Sequence, residues 1–342
     1  MPRLVLLLSA AALARAAFVT YSRRYLRSRR TNNLLASADR PSVVQWSADP
    51  NARAAASEAH AEILEAAWAA DAEIAAFSGV QMAQPHTFTT PDGLEMHGAF
   101  AWAEGGGLID VSKPGKRPGV LIVHTAVGPQ DLFLRWRAQA LATRGYVVLI
   151  ADLLGDPNGQ GWEPTWSADR RQTYVGDGRP LLHQRTRLAL DALAADPRVD
   201  ATRLAAMGYC FGGKAVTDLI KADTSLPGGL RGVVSFHGVV DGYAGEVDEA
   251  SYSGSQTETS ALLCHADADP FVAKEALHDC LSALNARGCK WELQTFGPGG
   301  GAKHGFTNPA QVLNEKPQFG YDMRAERASW LTAKDFLENA FA

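Results

Sequence analysis

Cysteine is scarce in this chain, four residues in 342, and Cys210, Cys264, Cys280 and Cys289 form no C-x-x-C pair and no Cys/His cluster at zinc spacing. That argues against a disulfide scaffold and a structural zinc site. Charge of one sign is also lacking: the formal net charge is only −4, which leaves no electrostatic footprint for nucleic acid. The N-terminal apolar run, Leu4 to Ala14, is too short to span a bilayer. What is there, 46% hydrophobic and 20% charged residues, reads as a soluble globular protein with a small-molecule ligand. No cofactor and no stable membrane span are expected, and the oligomeric state is not legible.

The first stretch is foreign to the rest in composition, with seven arginines before the first acid, Asp39. The run from Leu4 to Ala14 suits a signal-peptide core, Ala14-Arg15-Ala16 resembles a cleavage site, and the Arg- and Ser-containing sequence after it resembles a transit peptide. Residues 1–40 are therefore set apart as a targeting segment, for a plastid, a mitochondrion or the secretory route; an uncleaved segment would leave the protein cytoplasmic. Residues 41–85 read as a helical extension, with one amphipathic helix over 53–77, and residues 86–342 as the main domain.

In that domain "PHTFTTPDGLEMHGAFAW" predicts a hairpin turning at Pro91-Asp92-Gly93. Continuous apolar runs follow at 119–124, 146–153, 203–209, 232–238, 261–266 and 291–297. Strands without alternation are covered on both faces. Amphipathic segments near 130–144, 181–195, 212–222 and 273–287 separate them, so the expectation is a doubly wound, mostly parallel sheet with helices on both faces.

Chemistry concentrates at "MGYCFGGKAV", residues 207–216. A side chain at the tip of a strand-to-helix turn rises above the sheet's C-terminal edge, and the turn is tight only if the residues two before and two after are nearly free of side chain. Gly208 and Gly212 fill those places around Cys210. A thiol nucleophile needs a base and a group to orient it. Asp267 and Asp269 follow the apolar run 261–266, and His304 is the histidine placed after the last strand.

"GYCFGG", "ADADPFV" and "HGFTNP", in that order, resemble the dienelactone hydrolase family, over about residues 86–342. The resemblance implies an α/β-hydrolase fold with Cys210 as nucleophile, His304 as base and, of the two aspartates, Asp269 as the orienting acid. It also implies an oxyanion hole from the backbone N–H groups of Phe211, after the nucleophile, and Ala126, in "VLIVHTAVGPQDLF".

The sequence departs from the family in two ways. Bacterial members carry a glutamate before the second oxyanion donor, which keeps the resting thiol neutral; here it is Thr125. They also hold a substrate carboxylate with two arginines, and here Asp156 and Asn308 occupy those places. An insert between 155 and 180 brings Trp162, Trp166, Arg170, Arg171 and Tyr174; Trp162, Tyr174 and the strand-end His237 are candidate pocket residues. The expected function is hydrolysis of neutral or activated esters or lactones through an acyl-thioenzyme. The alternatives are a ligand-binding protein on the same fold and a metal site of His265, Asp267 and Asp269, which the triad reading displaces, so that no metal is expected.

Overall fold

The structure is a computed structural model that describes residues 50–342 except 78, 92, 94, 109–114, 127, 130, 156–179, 223–228, 241–256 and 315. Residues 1–40, read above as a targeting segment, and Asp156, Trp162, Trp166, Arg170, Arg171 and Tyr174 thus lie outside the described residues.

Eight strands form one sheet in the order β1-β2-β4-β3-β5-β6-β7-β8. They are β1 Val80–Thr89, β2 Glu95–Ala103, β3 Arg117–Val123, β4 Val147–Ala151, β5 Val199–Tyr209, β6 Leu230–Phe236, β7 Ser260–Ala266 and β8 Trp291–Phe296. β1 and β2 make the expected hairpin, with Thr89 opposite Glu95, and β2 runs antiparallel to β4. All other pairs are parallel. The interior strands are the continuous apolar runs of the sequence: in β3 every residue after Arg117 is buried, and all of β4 is.

The helices are α1 Pro50–Ala69, α2 Ala72–Ala75, α3 Leu132–Arg144, α4 Pro180–Ala195, α5 Phe211–Ala222, α6 Lys274–Ala286 and α7 Met323–Phe341. Residues of α1, α3 and α7 share one core with Val120, Ile122, Met207 and Val234, whereas α4, α5 and α6 share another with Leu121, Val123, Leu204 and Val233. Alternate residues of one strand thus feed opposite cores, which is the period of two expected of a sheet covered on both faces.

The single helix read over 53–77 is two. The Ala-rich periodicity continues through the break, but the Asp71 carboxylate accepts hydrogen bonds from the Glu73 and Ile74 N–H groups and starts α2. Its other oxygen accepts from Trp136 Nε1 at 3.0 Å, and Glu73 pairs with Arg144 and Lys334. These bonds tie the extension to α3 and α7, and Leu64 of α1 is fully buried beneath it.

The candidate active site

The parallel strands end along one edge of the sheet, and Cys210, Asp269, His304 and His237 gather there. β5 delivers Cys210 into a turn with φ 56°, a left-handed backbone that non-glycine residues seldom adopt. The glycines make room for it. A Cβ on Gly208 would lie 2.0 Å from Gly212 O, and one on Gly212 would lie 2.3 Å from Val123 O. The Cys210 N–H donates to Phe236 O at 3.0 Å, so neighbouring β6 holds the turn down.

His304 reaches the same point from the loop after β8. Its Nε2 lies 3.0 Å from Cys210 Sγ and its Nδ1 lies 2.7 Å from Asp269 Oδ2. Asp269 stands just past β7 and is buried, and its Oδ1 accepts from the Phe271 N–H at 3.0 Å. Asp267 is half-exposed and faces Lys274 at 3.8 Å. Of the two aspartates, Asp269 is the one within reach of His304.

Burial alone would raise the Cys210 pKa, but the charge of His304, its hydrogen bond and the Phe211 and Ala126 N–H groups, both of which bond to the sulfur, bring it below the ordinary value. Burial alone would lower His304; the negative sulfur and the bond to Asp269 outweigh it and carry its pKa to about 10. Opposite shifts in two groups in contact favour a charged pair over two neutral groups. Cys264, Cys280 and Cys289 are buried and shifted the other way, upward, by that burial.

Rings surround the imidazole. Phe271 lies 4.7 Å away between centroids, and Phe319 and His237 each lie 5.4 Å away. His237 is buried at the end of β6 with φ 39°, the other left-handed non-glycine residue among those described. Its Nε2 pairs with the Thr307 hydroxyl at 2.9 Å. Burial and then the charge of His304 hold it well below its ordinary pKa, so it stays neutral. Asn308 is buried, and its side chain accepts from the Ala310 N–H at 2.9 Å, capping the short turn Pro309–Leu313.

Four residues of this neighbourhood were not read from the sequence. Phe319 and Thr307 have no local signal. Asp152, buried behind β4, accepts from the Leu154 and Gly155 N–H groups, and buried Arg185 of α4 donates to Leu153 O at 2.8 Å. Among the described residues no group of three or more His, Cys, Asp or Glu side chains is arranged to hold a metal ion, so His265, Asp267 and Asp269 do not form one.

A mostly parallel sheet wound on both faces, with a strained turn at its C-terminal edge, defines an α/β-hydrolase fold. Acylaminoacyl peptidase of Pyrococcus horikoshii shares that fold, with a TM-score of 0.53 over 78% of this chain and 42% of its own, at 15% identity. The family model of the dienelactone hydrolase family matches residues 106–341, and the chain belongs to that family. A dienelactone hydrolase-like promiscuous phosphotriesterase, P91, from metagenomic libraries is 29% identical with a TM-score of 0.64, covering 78% of this chain and 100% of its own. The uncharacterized protein K02A2.1 of Caenorhabditis elegans is 33% identical over 168 residues, 49% of this chain and 99% of its own length.

Proposed function

We propose that the protein hydrolyses neutral or activated esters or lactones through an acyl-thioenzyme on Cys210. The observation that carries this reading is the continuous relay from Cys210 Sγ through His304 to Asp269, at 3.0 and 2.7 Å. The Cys210 thiolate attacks the carbonyl carbon and forms the C–S bond. The oxygen takes up the negative charge beside the Phe211 and Ala126 N–H groups, which already bond to the sulfur. As the C–O bond breaks, the His304 imidazolium gives its proton to the leaving oxygen. In the second half neutral His304 takes a proton from water, the hydroxide attacks the thioester, and the thiolate departs with the pair restored. Asp269 orients the ring and stabilises its charge.

Thiolate expulsion competes with that of the leaving oxygen, so good leaving groups such as enolates and phenolates suit this nucleophile. A neutral phosphotriester is also a neutral electrophile with such a leaving group, and similarity to P91 puts that class in the same substrate panel. Domain 86–342 carries the chemistry in this reading. His237 stands beside His304, with ring centroids 5.4 Å apart.

Brief exposure to activated esters and lactones, followed by intact-protein mass spectrometry, tests the reading. An acyl adduct on the wild type that is absent from Cys210→Ala is expected, with multiple turnovers. A ligand-binding protein on this fold would give one acylation or none.

A further inference from the structure

His124 follows β3 directly and precedes Thr125 and Ala126, and it is fully buried. The Leu153 N–H lies 3.0 Å from its Nε2. A backbone amide only donates, so Nε2 presents its lone pair and, in a neutral ring, the proton sits on Nδ1. Nδ1 is 2.5 Å from the Thr125 carbonyl oxygen, to which it therefore donates.

Two neighbours fix this state. Asp152 Oδ1 is 3.8 Å from Nε2, beyond hydrogen-bond reach, and already accepts from Leu154 and Gly155. Phe211, the residue after the nucleophile, lies against the ring at 5.9 Å and 24°. An imidazolium would set an Nε2 proton against the Leu153 N–H, and burial opposes that charge.

The Thr125–Ala126 peptide is a rigid plane whose C=O and N–H point in opposite directions. A carbonyl drawn to His124 therefore turns the Ala126 N–H the other way, and the Cys210 sulfur is what that N–H meets. We infer that His124 is a positioning residue: by holding the Thr125 carbonyl, it aims the Ala126 N–H at the reacting centre and keeps one oxyanion donor preorganised. The consequence for turnover rests on the hydrolase reading above; the consequence for the sulfur does not.

Asparagine places an amide nitrogen near the Nδ1 position, and glutamine places a polar atom near Nε2. His124→Asn keeps a donor for Thr125 O, whereas His124→Gln keeps a partner for Leu153 and frees the peptide. Losing one oxyanion donor costs about 10² to 10³ in kcat, so a misaimed one in His124→Gln is expected to cost on the order of 10 to 100-fold. The loss falls in kcat with KM nearly unchanged, and His124→Asn recovers most of it. The pH midpoint for alkylation of Cys210 by iodoacetamide is expected to rise in His124→Gln and to return toward the wild-type value in His124→Asn.

A loss that falls in KM alone, or an alkylation midpoint that does not move in His124→Gln, overturns the inference. Nitrogen-15 NMR of wild-type His124 decides it without any variant: protonated Nδ1 and bare Nε2 are expected, and the reverse tautomer sinks the idea. If the wild type turns over no ester while the alkylation midpoint and the tautomer behave as stated, the hydrolase reading fails and the positioning role stands.

Discussion

His237 Nε2 and the Thr307 hydroxyl meet at 2.9 Å inside the protein, joining the end of β6 to the loop that carries His304. His237 keeps a left-handed backbone there at φ 39°. A non-glycine residue in that region costs on the order of 1 kcal/mol, so the bond offsets a strain that glycine would not have.

Thr307→Val, which keeps the shape and deletes the hydroxyl, is expected to lower kcat about tenfold by loosening the His304 loop, with a smaller change in KM. Thr307→Ser restores it. His237→Gly relieves the backbone but loses the same bond and a buried ring packed on Tyr209, His304 and Phe306, so activity falls and thermal stability falls further than in Thr307→Val. Steady-state kinetics beside melting curves separate the two effects, and a fully active Thr307→Val would show that the loop is held elsewhere.

Asp269 and Asp267 are two residues apart in sequence and far apart in consequence. Asp269 is buried against His304, while Asp267 faces Lys274 across 3.8 Å at the surface. Asp269→Asn is expected to cost on the order of 10² to 10⁴ in kcat. Asp267→Asn is expected to stay near wild type, since exposed pairs contribute little. The kcat values of the two variants check this, and the reverse ranking would mean that the relay does not run through Asp269.

The state of the sulfur gives a pH prediction with a definite sign. Cys210 is shifted down and His304 up to about 10, so the charged pair is favoured above the lowered Cys210 pKa and below that of His304. Acid destroys it by protonating sulfur, and alkali by discharging the ring. Iodoacetamide is therefore expected to inactivate the enzyme well below the ordinary cysteine pKa of about 8.5. Thr125, which replaces the family glutamate, leaves no carboxylate at that position to hold the thiol neutral. In Cys210→Ala the sulfur's charge and hydrogen bond are gone and Asp269 alone still opposes burial, so the His304 pKa falls from its value of about 10. NMR titration of the ring would show the fall; a pKa still near the wild-type value would refute the coupling.

The strands were legible because continuous apolarity and parallel burial are the same fact seen twice, and the elbow was legible because its glycines answer to a steric demand within five residues. The C-terminal start of each site loop could be placed from chain order alone. The break at Asp71 could not, because capping depends on where one carboxylate points rather than on periodicity. The bonds of Thr307 with His237, and of His124 with Leu153, were hidden for a different reason: each joins elements distant in sequence, and although His237 stood out at its strand end, nothing in the sequence pointed to its partner.

The extension offers a stability test. Leu64 of α1 is fully buried in the core that α3 and α7 share. Leu64→Ala is expected to cost about 2 to 5 kcal/mol and lower Tm by several degrees. Calorimetry on the full chain measures it, and an unchanged melting curve would mean that α1 is dispensable to the fold.

Substrate charge follows from the residues that replace the family's carboxylate-holding arginines. Asn308 spends its side chain on capping the turn at Ala310; Asp156 lies outside the described residues, and a carboxylate at the place the resemblance gives it would add repulsion. Burying a carboxylate without a cationic partner costs several kcal/mol, enough to lower affinity by orders of magnitude. Neutral esters or lactones are therefore expected to be preferred over carboxylated dienelactones by at least about 10-fold in kcat/KM, equivalent to roughly 1.4 kcal/mol. Three arginines offer a way around this. Arg170 and Arg171 lie in the insert, outside the described residues, and Arg185 is buried beside the end of β4, where it holds Leu153 O. Comparing a dienelactone with its methyl ester decides the matter: a preference for the free acid would sink the expectation, and the alanine variant among Arg170, Arg171 and Arg185 that abolishes that preference would identify the replacement clamp.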